Sequence, residues 1–596
     1  MKKRLLAFIV LVSVLCMTFP AFADGTTEKI TGSCGENLTY EYDPSLKTLT
    51  ISGTGKMTDY SLSAGEEHVP WESLKNGIET VNIESGVTSI GSYTFYACRN
   101  LKSITIPDSV TGIGEEAFES TAYYEDDSKW ENGVLYIGNH LIKAENDELK
   151  QAGISNYTVN SGTKTIADSA FSSCGVTSIT VPDSVTSIGR FAFYFCDKLV
   201  NITLPDSVTS IGDKAFYATY LYNKWYDNSE QCNVLYIGHH LIKADEWALN
   251  QAISKNNISS DYVVKSGTKT IADNAFEGCE SLTGITLPDS VASIGNCAFE
   301  KCSSLTDITI PKSVRSIGDY VFQTCVDLTD ISVDPANTAY CDEDGVLYNK
   351  EKTKIMRFPT KNKKWKTSFI IPNSVTSIAD GAFERCWNLT DIAIPDSVKS
   401  IGNSAFESCE KLTSITIPDS VTGIGDSALL GCSSLIKVII PDGVTEIGYR
   451  TFYNCSDLTS VTIPNSVQIV DKEAFEKCTN LKTVNYIGSE ADWENVTGSG
   501  KNNLKNVNYL SGISARRSEN GNIVVKPINV AADKTVILAL YDGDKLVEMQ
   551  QSSDYSEDNR EITFTTTKDY TRARVMVWES LSKMTPVCGI KTLRIN

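Results

Sequence analysis

Cysteine is the residue type with the widest chemical scope in this chain. There are 17 in 596 residues, against only 4 histidines: His68, His140, His239 and His240. Thiols can form disulfides, hold metals or act as nucleophiles. So few histidines leave little from which to build an acid–base or metal constellation. Aromatic residues cluster in two segments, Tyr123, Tyr124 and Trp130, then Tyr220, Tyr222, Trp225 and Tyr226. Such rings offer a partner large contact area at low entropic cost, or they cover a structural seam of their own segment. The run Asp342-Glu343-Asp344-Gly345, with Glu351 beyond it, partly matches a calcium loop. Tyr340 stands at its first position and the flanks read as strands, so an Asp-Gly hairpin turn is the better reading. No G-x-S-x-G, Walker, H-E-x-x-H or G-x-G-x-x-G context occurs. No enzyme activity, metal or cofactor is therefore expected.

The elements that must position these residues are repeats. Residues 389–411 read LTDIAIPDSVKSIGNSAFESCEK, and 412–434 read LTSITIPDSVTGIGDSALLGCSS. Residues 435–457 and 458–480 follow the same 23-residue frame. Earlier copies begin at Ile78, Leu101, Ile154, Val176, Leu199, Ser259, Leu282, Leu305 and Leu328, with others at Lys366 and Leu481. One such unit cannot bury its own apolar face, so neighbours must stack to close a core. The L-x-x-I-x-I segment alternates like a short strand. Pro107, Pro205 and Pro441 mark strand ends, because proline offers no ladder donor. The D-x-A-F-x-x-C segment places Phe and Cys three apart, predicting one face of a short helical turn. Phe171, Phe276, Phe406 and Phe475 would then stack as a spine. The fold predicted is an α/β repeat solenoid, β-rich, presenting an elongated surface.

Eleven of the 17 cysteines share one repeat position: Cys98, Cys174, Cys196, Cys279, Cys302, Cys325, Cys386, Cys409, Cys432, Cys455 and Cys478. Stacked coils hold their Cβ atoms near the ~4.8 Å strand spacing. A disulfide prefers about 3.8 Å and converging Cβ atoms. The expectation is a ladder of reduced, buried thiols acting as small apolar groups. Cys34, Cys232, Cys297, Cys341 and Cys588 lie off it, and spacing leaves their pairing open.

The motif L-T-S-I-T-I-P-D-S-V-T-S-I-G-D-x-A-F-x-x-C, as in residues 412–432 and 282–302, resembles the BspA-like leucine-rich repeats of bacterial surface and secreted proteins. The likeness spans about residues 78–488. The leading Gly32-Ser33-Cys34-Gly35, LTISGTGKM at 49–57 and VPWESL at 69–74 also resemble the start of such proteins. The resemblance implies a right-handed leucine-rich solenoid, an extracellular location, and adhesion or protein binding. It implies no particular ligand and no catalytic residue.

Three interruptions, near 122–153, 220–258 and 334–365, break the period. VLYIG and HLIKA in the first two predict protruding β-hairpins with solvated histidines at their turns. From 511 to 596, strand-like runs such as TVILALY and RARVMVW predict a small β-sandwich. Residues 1–23, with Lys2, Lys3 and Arg4 ahead of an apolar run and Ala21-Phe22-Ala23, read as a signal peptide cleaved after Ala23. Residues 24–77 read as an N-terminal β cap, and 78–510 as the repeat array. No later stretch is long enough to span a bilayer.

The net charge of −20 argues against nucleic acid as a partner. The outward strand positions carry recurring threonines, among them Thr309, Thr416 and Thr462. They make a hydroxyl ladder that either keeps the strands soluble or receives a ligand. Together these features predict a secreted or cell-surface, non-catalytic adhesion or protein-interaction protein. The alternative is a glycan-binding module that uses the aromatic interruptions, since planar rings stack on sugars.

Overall fold

The computed structural model describes residues 29–35, 37–62, 68–227, 234–254 and 260–510, and beyond them the strand segments between 512 and 594. The signal-peptide residues 1–23, Cys232 and Cys588 lie outside the described residues. Contacts divide the chain into two units. The first holds Met1–Ser155, Asn160–Gly175 and Ser184–Phe193, and the second holds Asn156–Val159, Val176–Asp183 and Tyr194–Asn596.

The first unit opens with an antiparallel meander, Ile30–Gly35, Leu38–Asp43 and Thr48–Gly53. Its last strand pairs in parallel with the first repeat strand, Thr48 opposite Thr80 and Ile51 opposite Ile83. Trp71 is wholly buried and stacks on Phe95 at 5.7 Å, so it takes the place of a preceding coil's phenylalanine. The expected aromatic spine follows. Phe95 stacks on Phe118 at 5.6 Å and Phe171 on Phe193 at 5.6 Å. In the second unit Phe276, Phe299 and Phe322 continue the pattern at 5.6 and 5.8 Å, and Phe452 meets Phe475 at 5.1 Å.

Each coil contributes two strand ladders. The long one pairs, for example, Asp307–Ile310 with Asp330–Val333, and buries alternate aliphatics Ile308, Ile310, Ile331 and Val333. The short one aligns the S-I pairs, as in Ser293–Ile294 with Ser316–Ile317. The third side of the coil differs from expectation. D-x-A-F-x-x-C is not a helical turn, so the repeat itself is β-rich rather than α/β. Two residues per coil adopt left-handed backbone, such as Tyr93 and Ala97 (φ 56 and 59), or Ser404 and Ser408 (φ 50 and 57). That geometry breaks any helix and turns alternate N–H groups toward the next coil. Phe276 N donates to Ala298 O at 2.8 Å and Gly278 N to Glu300 O at 2.9 Å. Left-handed non-glycine residues cost about 1–2 kcal/mol each. The inter-coil hydrogen bonds and the buried phenylalanines between them offset that cost.

One polar residue opens this third side, and it also forms a ladder. Asp380 Oδ1 accepts from Asn403 N at 2.8 Å, and Asn403 Oδ1 accepts from Asp426 N at 2.8 Å. The close approach explains the glycine just before it. A Cβ on Gly402 would sit 2.3 Å from Asp380 Oδ1.

The interruptions are stitched into the stack rather than protruding from it. Val134–Ile137 and His140–Ala144 form the expected hairpin, but its second strand pairs in parallel with Thr165–Ile166 of the next coil. Ala144 N then donates to Ala170 O at 2.7 Å, Ala244 N to Ala275 O at 2.6 Å, and Phe358 N to Ala382 O at 2.8 Å. Each insertion thus supplies the donor that the phenylalanine of a preceding coil would supply. The apolar HLI segments make this docking favourable, since Leu141, Ile142, Leu241 and Ile242 are all buried. His140 and His240 are buried with them rather than solvated, whereas His239, beside His240 at the second hairpin's turn, is exposed. Helices occur at the insertions and after the last repeats: Asn146–Gln151, Tyr220–Tyr226, Glu246–Ser254 and Glu490–Glu494. In the third interruption Asp344 and Gly345 have φ of 53 and 79, the turn of the hairpin Tyr340–Glu343 and Val346–Asn349.

Beyond the repeats, two antiparallel sheets are described. One holds Gly512–Arg517, Ile523–Ile528 and Ile562–Phe564, and the other Lys545–Ser552, Thr535–Asp542, Arg572–Trp578 and Lys591–Arg594. Both bury side chains in one cluster that includes Val525, Leu538, Phe564 and Val575. Among the described residues, no helix is long and apolar enough to cross a membrane.

Candidate functional site

The cysteine ladder sits in the core, with no described cysteine in a disulfide. Cys302 Sγ donates to Phe276 O at 3.2 Å, Cys409 to Phe383 O at 3.2 Å and Cys432 to Phe406 O at 3.2 Å. Each thiol therefore bonds to the coil before it. Burial pushes the Cys279 and Cys432 thiols up to about 12, which removes the thiolate needed for nucleophilic or metal chemistry. Among the described residues no group of three or more His, Cys, Asp or Glu converges as a metal site. Cys34 is buried, and Cys297 and Cys341 are half-buried and unpaired with other cysteines.

The outward strand positions form continuous rows in the second unit. Ile370 lies beside Ala393, Ala393 beside Thr416, and Ile439 beside Thr462. Thr309 lies beside Ser332 in the sheet that also carries Val263 and Thr286. Thr309 and Thr416 are exposed and Thr462 is half-buried. The same rows expose large aliphatic groups: Val263 at 68%, Ile370 at 67% and Ile439 at 53%. Apolar side chains this open are not needed by the core beneath them.

The aromatic candidates divide. Trp225 is buried beneath Tyr222, with ring centroids 5.2 Å apart. Trp130 is half-buried, and its indole N–H donates to Tyr124 O at 2.7 Å. Tyr123 and Tyr124 are half-buried, Tyr123 donating through its hydroxyl to Tyr136 O at 3.3 Å. Tyr220 and Tyr226 are exposed and Tyr222 half-buried, all on the helix Tyr220–Tyr226 rather than on a hairpin. Thr219 caps that helix by accepting from Tyr222 N at 3.1 Å.

The structure joins these to rings that sequence reasoning missed. Phe195 and Tyr194 lie 4.6 Å apart, Tyr194 and Tyr217 5.7 Å, Tyr217 and Tyr222 5.0 Å, and Tyr222 and Tyr226 6.4 Å, as one continuous band. Tyr194 and Tyr217 are stacked at 17°. They occupy variable positions of two consecutive repeats, and aromatic residues at matching offsets there were the available signal.

Each insertion leaves a cleft between the coil before it and the coil after it. In the first, Glu115, Glu116, Glu119, Tyr124, Lys143 and Asp168 line about 50 Å³. In the second, Asp213, Lys214, Tyr217, Tyr222, Lys243, Asp273 and Glu277 line about 110 Å³. The third, about 30 Å³, is lined by residues including Asp319, Tyr320, Gln323, Arg357 and Asp380. A cation from the insertion holds the far wall every time. Lys143 donates to Ser169 O at 3.4 Å, Lys243 to Asn274 O at 2.7 Å, and Arg357 to Gly381 O. In the first cleft, burial raises Asp168 to about 7. In the third, Arg357 also pairs with buried Glu384 at 3.5 Å.

Stacked 23-residue coils with parallel strand ladders and a buried aliphatic, phenylalanine and cysteine core define a β-solenoid of the leucine-rich repeat class. The family model described as the BspA type leucine rich repeat region (6 copies) matches residues 73–146, 143–257, 250–368 and 353–482, and the chain belongs to that family. Among solved structures, it is similar to a leucine rich cell surface protein from Faecalibacterium prausnitzii A2-165, at 26% identity over 80% of this chain and 99% of that one, TM-score 0.39. It is similar to a leucine-rich repeat protein from Eubacterium ventriosum ATCC 27560, at 24% identity over 77% and 84% of the two chains, TM-score 0.32. The pneumococcal vaccine antigen PcpA is similar at 18% identity over 63% of this chain and 96% of that one, TM-score 0.35. No curated protein matches.

Proposed function

We propose that this chain is an exported, non-catalytic adhesion protein that docks an extracellular polypeptide on the outer strand rows of its second unit. One observation carries the reading. Val263, Ile370 and Ile439 are exposed at 68%, 67% and 53% in rows otherwise made of short uncharged residues. Thr309, Thr416 and Thr462 in the same rows supply hydrogen bonds between those apolar anchors. A flat row of β-branched and hydroxyl side chains at strand spacing suits an extended polypeptide, whose side chains recur at a comparable rise. Residues 1–23 would direct export and be cleaved after Ala23. Residues 24–77 would cap the array, and 511–596 would form a β-sandwich that spaces or extends the binding surface.

The test is a binding array of extracellular-matrix proteins and glycans probed with the mature chain and with the Ile370→Lys and Ile439→Lys variants. Capture of one or more proteins, weakened by either charge, supports the reading. Binding that is confined to glycans, or is indifferent to both changes, opposes it.

A further inference from the structure

The three clefts share one frame but not one lining. The residue after the coil's phenylalanine is Glu119 in the first, Tyr217 in the second and Gln323 in the third, and each lines its cleft. In the first, Glu115, Glu116, Glu119 and Asp168 face Lys143 alone, which makes it strongly acidic. In the second, Asp213, Asp273 and Glu277 face Lys214 and Lys243, close to charge balance. It also has aromatic walls, Tyr217 and Tyr222, with centroids 5.0 Å apart, and the largest volume of the three. That volume of about 110 Å³ gives room for roughly four waters at ~30 Å³ each.

We propose that the second cleft is a saccharide site that takes one pyranose unit of a neutral glycan, a ligand beyond the polypeptide reading above. The polar groups there are held in place yet not exhausted. Glu277 accepts from Lys301 at 3.0 Å, Asp273 from Asn296 N at 2.7 Å, and Lys243 donates to Asn274 O at 2.7 Å. A carboxylate has about four acceptor positions and an ammonium three donors, so Glu277 and Lys243 retain capacity. Fixed donors and acceptors with little net charge match vicinal hydroxyls, which both donate and accept. A cationic or anionic ligand would be repelled by one set of these groups. Tyr217 is 41% exposed between Tyr194 and Tyr222, and the open part of its ring meets the polarised C–H groups of a sugar ring. The band continues past the cleft through Tyr194 and Phe195 on one side and Tyr226 on the other, so neighbouring sugar units have platforms of their own. Phe195 is 50% exposed and Tyr226 58%.

The test is calorimetric titration of the mature chain with neutral hexasaccharides of glucose, mannose and xylose, with hexagalacturonate and with an oligolysine peptide. The wild type should bind at least one neutral hexasaccharide. Tyr217→Ala should weaken it roughly tenfold, as expected for one lost aromatic contact. Tyr217→Phe should retain it, and an unchanged thermal melt shows that the fold is intact. Tyr449→Ala, outside the cleft, should bind like the wild type. No binding of any neutral hexasaccharide, equal binding by Tyr217→Ala, or binding of oligolysine or hexagalacturonate alone would overturn the proposal. Protein capture on the strand rows is a separate readout, so this site can fail while that reading stands.

Discussion

The polar ladder that opens each coil alternates Asp380, Asn403, Asp426, and Asn403→Asp should destabilise it in a way that depends on pH. Asn403 Oδ1 accepts from Asp426 N, and its Nδ2 donates to Asp380 Oδ2 at 3.4 Å. The substitution keeps shape and keeps the Oδ1 acceptor, and it exchanges the long Nδ2 donation to Asp380 for a negative charge. The new carboxylate would have a carboxylate one coil away on each side, near the ~4.8 Å spacing of stacked strands. These side chains are partly open to water. With screening between bulk water and a protein surface, each pair costs about 1 kcal/mol, or about 2 kcal/mol for the two. The sign follows from linkage. Burial already raises Asp380 and Asp426, and a third charge raises all three further. Groups with folded pKa values above the unfolded ones favour the fold when protonated. The penalty is therefore full above the folded values and vanishes as pH falls toward the unfolded value of about 3.9. Urea unfolding at about pH 8 and about pH 4.5 reads this directly. The variant should lose about 2 kcal/mol at the higher pH and much less at the lower. Equal stability at pH 8, or a loss that is the same at both, would refute the ladder.

The core thiols should titrate as free when the protein is unfolded without reductant, and react slowly while it is folded, because each ladder cysteine is buried or nearly so. Disulfide-linked ladder cysteines in that assay would contradict the core assignment. His140 and His240 have pKa values lowered first by burial, partly offset by the carbonyls of Pro107 and Pro205 and by Asp108 and Asp206. Their contribution is present above the unfolded value of about 6.5 and lost as pH falls through the folded values. The melting temperature should therefore drop between about pH 7 and pH 5, and His140→Leu with His240→Leu should flatten that dependence. Arg357→Met should cost about 1.5–3 kcal/mol in urea unfolding, since it removes the donors to Gly381 O and Glu384 O and one of two cations beside the buried Glu384, which keeps Arg385 at 2.8 Å. A loss below about 1 kcal/mol would show the pair to be dispensable.

The period, the phenylalanine spine and the thiol ladder were legible because each is one residue type at one offset, and a stacked fold turns offset into contact. The third side of the coil was not. Its left-handed positions hold Tyr93, Lys214, Ser404 and Arg450 without a common type, since the inter-coil hydrogen bonds that stabilise them use backbone alone. Hairpin chemistry identified VLYIG and HLIKA correctly as paired strands. It could not show that His140 and Leu141 pair with Thr165 and Ile166, because that register exists only once the next coil is in place. Trp130 and Trp225 drew attention by type, yet both are packed against their own segments. The open rings include Phe195, Tyr217, Tyr220 and Tyr226, and of these Tyr220 and Tyr226 stood out in sequence. Thr309, Thr416 and Thr462 lie on the outer rows as alternation predicts, whereas the exposure of Ile370 and Ile439 breaks that pattern.

The proposed docking of a polypeptide on the outer strand rows of the second unit is open to a direct measurement. Hydrogen–deuterium exchange of the mature chain, alone and saturated with a protein captured on the array, tests it most directly. Docking there slows exchange in segments such as 368–370, 391–393, 437–439 and 460–462 and leaves the rest unchanged. Protection that leaves these strands unchanged and falls elsewhere would contradict it.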